Sequence, residues 1–113
     1  KNVGSPGYVC SALRNAVDMS EGKNVLVDVG YNSPNIDLGK LSEENPQIAI
    51  VPHMFGIPIN ISNLKKIPII EDCSQSAGSK YKNKYLEFNK TQEGCDPTPE
   101  INIIKNLRFL FCL

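Results

Sequence analysis

Three short apolar runs, Val25–Val29, Gln47–Val51 and Ile67–Ile70, are separated by stretches with helical spacing. Runs this short and this nearly continuous suit strands buried on both faces of a mostly parallel sheet. Parallel strands need crossover connections, and helices usually supply them. The pattern therefore predicts an α/β unit. Ser11 to about Met19 carries Ala12, Leu13, Ala16 and Val17 on one helical face, with Ser11 as the cap. Ile36–Glu44 predicts a second short helix with Leu38 and Leu41 inward, and Asn60–Lys66 a third, with Asn60 or Ser62 near its start. Gly4, Pro6 and Gly7 predict a loop. Ser79–Tyr81 and Tyr85–Phe88 read as a hairpin joined by Lys82-Asn83-Lys84.

Beyond Asn89 the character changes. Thr91–Pro99 is polar and proline-rich, whereas Ile101–Leu113 is strongly apolar and ends in Phe109-Leu110-Phe111-Cys112-Leu113. Residues 1–88 are thus expected to form the α/β part, and residues 89–113 a divergent carboxyl-terminal stretch. The chain begins with Lys1 instead of methionine, which suggests a piece of something longer.

Composition narrows the function classes. With 12 basic and 12 acidic residues the formal net charge is zero, so a broad nucleic-acid footprint is not expected. Lys80, Lys82 and Lys84 alternate and would share one solvated strand face. No apolar run is long enough to cross a bilayer, so no membrane partner is expected. The four cysteines Cys10, Cys73, Cys95 and Cys112 show no C-x-x-C spacing, and His53 is the single histidine. No metal site is predicted, and free thiols in a reducing cytoplasm are the expectation.

In parallel sheets functional groups gather beyond the carboxyl ends of the strands. That rule singles out His53, after Val51-Pro52, and Asp72, after Ile69-Ile70-Glu71. A half-desolvated carboxylate at Asp72 calls for a cation, and a protonated pyridine nitrogen is one candidate. The alternative is that Asp72 caps the following segment, with Ser74 and Gln75 in its first turn.

Ile48-Ala49-Ile50-Val51-Pro52-His53-Met54-Phe55-Gly56, followed by Glu71-Asp72-Cys73-Ser74-Gln75-Ser76-Ala77-Gly78, resembles the DegT/DnrJ/StrS family of sugar aminotransferases. Lys80-Tyr81-Lys82-Asn83-Lys84 is similar to that family's lysine-rich hairpin. Pro6 to Val17 looks like its loop-and-helix start, and Val25 to Val29 like its next strand. The resemblance runs from about Val3 to Phe88. It implies part of the large domain of a fold-type I (aspartate aminotransferase-like) transferase, with pyridoxal 5'-phosphate as cofactor.

Roles follow from the resemblance position by position. Asp72 would pair with the pyridinium nitrogen, Gln75 would sit beside the ring hydroxyl, and His53 would lie near the site floor. Cys10 stands where relatives place an aromatic residue that stacks on the ring; a cysteine cannot stack, so Tyr8 would substitute or the contact is lost. As a residue in its own right, Cys10 reads as a small buried hydrophobe. The family's phosphate loop should precede Lys1. Its Schiff-base lysine should follow the hairpin closely, and Lys105 is the candidate, although Ile101-Asn102-Ile103-Ile104 lacks the expected aromatic-serine segment. Otherwise Lys105 is a surface lysine in an apolar tail.

The parent enzyme would transfer an amino group from an amino acid to a nucleotide-linked keto sugar, and would work as a homodimer. The chain alone is expected to be inactive. Two alternatives stand beside this: a truncated or frame-shifted remnant acting as an interaction module, and a dehydratase variant of the family with histidine at the lysine position.

Overall fold

The computed structural model describes residues 1–64, 66–76 and 79–85. Four parallel strands form its sheet: β1 (Asn2–Pro6), β2 (Lys23–Val27), β3 (Ile48–Pro52) and β4 (Ile69–Asp72), in the order β2-β1-β3-β4. Helix α1 (Ser11–Met19) links β1 to β2, and α2 (Leu38–Glu44) precedes β3. A two-stranded antiparallel ribbon, β5 (Lys80–Tyr81) and β6 (Lys84–Tyr85), follows β4.

Side chains alternate across a strand, so the parallel registers sort the two sheet faces. Gly4, Val25, Val27, Ala49, Val51, Ile69 and Glu71 share one face. Leu41 of α2 sits on it, fully buried, among Val27, Ile36, Ala49, Val51, Leu64 and Ile67. Val3, Ser5, Leu26, Ile48, Ile50, Ile70 and Asp72 share the other, where Val17 of α1 packs near Val3. Asp37 caps α2, its Oδ1 accepting the N–H groups of Gly39 and Lys40 at 2.9 and 3.1 Å.

The segment around Gly4 differs most from expectation: it is the inner strand β1, not a loop. Its glycine reflects crowding, since a Cβ on Gly4 would stand 2.6 Å from Leu41 Cδ1 and 2.7 Å from Pro46 Cγ. Strands β2 and β4 are each displaced by two residues from their apolar runs. Pro68 and its neighbours make the approach to β4, and Glu71 and Asp72 are drawn into the strand. The third helix does not form: residues 60–64 make turns, with Asn60 Oδ1 accepting the Ser62 N–H and Leu64 N–H reaching Ile61. An Asx turn of this kind competes with helix.

Helix α1 matches its predicted span, but Cys10, not Ser11, stands at the N-cap, without a side-chain cap. Cys10 is exposed, which corrects the buried reading. The hairpin turn is only Lys82-Asn83, both at positive φ, 49° and 64°. Those values fit the tight turn that suits strand twist. Lys82 is therefore in the turn, and the three lysines do not share a strand face. Among the described residues no helix is long and apolar enough to cross a membrane. Phe88, Cys95, Lys105, Cys112 and the whole stretch 89–113 lie outside the described residues.

Candidate functional site

The strand order creates the site. From β1 the chain moves one way across the sheet to β2; from β3 it moves the other way to β4. Ligands of open parallel sheets bind at such a reversal, beyond the carboxyl ends of the strands. Here those ends carry the Gly7–Cys10 segment after β1, the turn Met54–Gly56 after β3, and Asp72 closing β4.

Asp72 is half-buried on the α1 side of the sheet. Its Oδ1 accepts the Ser74 N–H at 3.0 Å. The capping geometry weighed from sequence is thus present, as an Asx turn, and it uses one oxygen only. No partner of the second oxygen, and no ion pair to Asp72, is found among the described residues. A carboxylate half withdrawn from water, with one oxygen lacking a partner among the described residues, fits a cationic ligand.

Gln75 is exposed, and its Oε1 accepts the Phe55 N–H at 2.9 Å. That bond fixes the polarity of the amide: the carbonyl is taken, so the NH2 group is the end left for a ligand. Phe55 has φ 54° and Gly56 φ 74°, two left-handed residues in succession. The strain at Phe55 is held by Gln75 on one side and by Asn35 on the other, whose Oδ1 accepts the Met54 N–H at 2.8 Å and whose Nδ2 donates to the Ile57 carbonyl at 3.0 Å.

His53 is 1% exposed. Its backbone N–H donates to the Asp72 carbonyl at 3.1 Å, and its Nδ1 accepts the Ile59 N–H at 3.1 Å. With Nδ1 an acceptor, the neutral ring carries its proton on Nε2, which donates to Glu71 Oε2 at 3.3 Å. The Cys73 thiol lies within 4.8 Å of both groups. Burial, the largest influence, disfavours a charged ring; hydrogen bonding to Cys73 and Glu71 outweighs it and raises the His53 pKa from 6.5 to about 9. The Ile59 N–H opposes that rise, because a proton on Nδ1 would meet it head on. Orphaning that amide costs about 1–3 kcal/mol, against about 3 kcal/mol for the full rise, so the net direction is upward. In either form Nε2 keeps its proton toward Glu71.

His53, Glu71 and Cys73 are all donors of the kinds transition metals take. A metal on Nε2 would need the ring proton on Nδ1, where the Ile59 N–H already points, so the hydrogen bonds oppose that use.

The structure thus brings Asp72, Gln75 and His53 to one pair of strand ends. Cys10 stands at the start of α1 beyond β1, with Tyr8 exposed in the same segment. Glu71, Cys73 and Asn35 went unnoticed as supports. Alternation could have paired Glu71 with Val51 and set it opposite Asp72. Asn35 gave no sequence signal beyond its place in a Ser33-Pro34-Asn35 turn.

The profile of the DegT/DnrJ/EryC1/StrS aminotransferase family matches residues 5–90. The chain belongs to this family. Among solved structures, AtS13 from Actinomadura melliaura aligns at 23% identity and a TM-score of 0.71, over 76% of this chain and 27% of that one. DesV from S. venezuelae aligns at 20% identity and a TM-score of 0.72, over 77% and 26%. The GDP-4-keto-6-deoxymannose-3-dehydratase ColD aligns at 22% identity and a TM-score of 0.67, over 74% and 24%. The parallel sheet with flanking helices is their shared fold, and the chain spans about a quarter of the length of these structures. No match was found among curated proteins.

Proposed function

We propose that this chain is the part of a cytoplasmic sugar aminotransferase that grips the ring of pyridoxal 5'-phosphate. The observation that carries the reading is Asp72: a half-buried carboxylate at the end of β4, one oxygen held by Ser74 and the other without a partner among the described residues. Asp72 would hold a proton on the pyridine nitrogen by charge pairing. Gln75, with its carbonyl occupied by Phe55, would donate its NH2 to the ring oxygen. Both residues fit the ring of the cofactor. When bound, the cofactor supplies an electron sink for proton removal next to the amino group.

The parent enzyme would take the amino group of an amino acid and deliver it to a nucleotide-linked keto sugar, working as a homodimer. The dehydratase reading keeps one specific support, the similarity to ColD at a TM-score of 0.67. Cys10 brings no ring of its own to the cofactor face, and Lys105 is the candidate for covalent attachment.

The test is an absorbance titration of the chain with pyridoxal phosphate, followed by borohydride reduction and peptide mapping. Saturable binding that weakens at least tenfold in Asp72→Asn supports the ring-gripping role. Label fixed on Lys105 identifies the attachment residue. Binding indifferent to Asp72→Asn, or label scattered over surface lysines, refutes the reading for this chain.

A further inference from the structure

We propose that His53 is a positioning residue that keeps the Asp72 carboxylate on the cofactor side of the sheet by holding its two chain neighbours on the opposite side. The inference rests on the cofactor reading of Asp72 for its functional meaning, though not for its geometry.

Asp72 is poorly secured by the sheet itself. It is the last residue of β4, which lies at the edge of the described sheet and pairs only with β3. Its register partner is Pro52, which has no N–H to give the ladder. The bond that closes the ladder comes one residue later, from the His53 N–H to the Asp72 carbonyl. The imidazole then reaches past Asp72 in both directions. It meets Glu71 before it, at 3.3 Å, and has the Cys73 thiol after it within 4.8 Å.

Glu71 and Cys73 are thereby held on one side, so the residue between them is directed to the other. Turning Asp72 out of place would drag Cys73, 3% exposed, from its burial or break the Glu71 contact. The Asx turn from Ser74 to Asp72 Oδ1 forms only while this arrangement stands. His53 itself is anchored by the Ile59 N–H, and Ile59 packs against the core.

The ring does two jobs at two positions, and two substitutions separate them. His53→Gln keeps a donor near the Nε2 position for Glu71 and loses the acceptor for Ile59. His53→Asn keeps an acceptor near Nδ1 and no longer reaches Glu71. Amide hydrogen exchange in the full chain reads both ends, with the Ala49 N–H, which donates to the Pro68 carbonyl, as reference for global stability.

In His53→Asn, Ser74 protection relative to Ala49 is expected to fall about tenfold or more while Ile59 stays protected. In His53→Gln the two trade places. Glu71→Ala, a truncation of a side chain 14% exposed that leaves His53 itself in place, is expected to lower Ser74 protection as His53→Asn does, and it serves if the histidine variants do not fold. A purely structural histidine would lower Ala49, Ser74 and Ile59 together. That parallel loss, or Ser74 protection unchanged in Glu71→Ala, overturns the proposal. Pyridoxal phosphate titration of the unsubstituted chain tests the other reading separately: absent binding removes the cofactor role and leaves the exchange result to decide the positioning role.

Discussion

The two faces of the sheet differ in how completely they are closed. On the α2 face Leu41, Ala49 and Val51 are each 0% exposed and Val27 is 3% exposed. On the α1 face Val3 and Ser5 of the inner strand are buried, but Ile48, Ile50 and Ile70 are only half-buried and Leu26 is 52% exposed. Adjacent carboxylates follow the division: Glu71 points to the closed side and finds His53, whereas Asp72 points to the other and has one oxygen without a partner among the described residues. The difference teaches that one face secures the strand ends and the other presents the chemistry.

The sharpest way to break this contrast is to truncate one leucine on each face. Leu41→Ala is expected to cost about 2–5 kcal/mol, because a fully buried side chain leaves a cavity. Leu26→Ala is expected to cost under about 1 kcal/mol, since half its surface is already wet. Urea denaturation midpoints decide it; equal losses would mean that the faces are not different in packing.

The second effect is the pH dependence written into the closed side. His53 has a folded pKa raised above its unfolded value of 6.5, so its pairing with Cys73 and Glu71 stabilises the fold fully below 6.5 and is lost as pH rises through about 9. Unfolding free energy should therefore fall between pH 6.5 and 9, by at most about 3 kcal/mol. The Ile59 N–H makes the true fall smaller. His53→Gln should flatten the profile in that window. An unchanged slope in the variant would assign it to other groups.

A third test bears on how legible the fold was. Gly4 and Pro6 read as a loop because glycine and proline usually punctuate chains. What put them in a strand was tertiary: α2 and Pro46 press so close to β1 that no Cβ fits at Gly4. Gly4→Ala should cost about 1–3 kcal/mol by overpacking, measured by the same denaturation. Local signals did better where the cause was local. The α1 span, the Leu41 burial and the placing of Asp72 at a strand end all follow from periodicity and apolar runs. Helix 60–66 failed because Asn60 spends its side chain on Ser62, a competition the apolar spacing conceals. The supports of the site were least legible. Glu71 and Cys73 meet His53 from the end of β4 and Ile59 from the segment after Gly56, and only the folded chain brings them together.

The smallest expected stability effect falls on the residue with the most chemistry. Asp72→Asn keeps an Oδ1 that still accepts the Ser74 N–H, and an Asx turn takes asparagine as readily as aspartate. It removes the charge and nothing else. The expected change in unfolding free energy, read from urea denaturation, is within about 0.5 kcal/mol, the range of an ordinary surface substitution. By contrast, Asp37→Ala, which deletes the cap of α2, should cost about 1 kcal/mol. A carboxylate whose charge contributes little to the fold, on a residue held by the Ser74 N–H at its side chain and the His53 N–H at its backbone carbonyl, is retained for a partner outside the fold. If Asp72→Asn instead destabilised the chain by more than Asp37→Ala, the charge would belong to the fold, and the contrast between the two faces would lose its functional meaning.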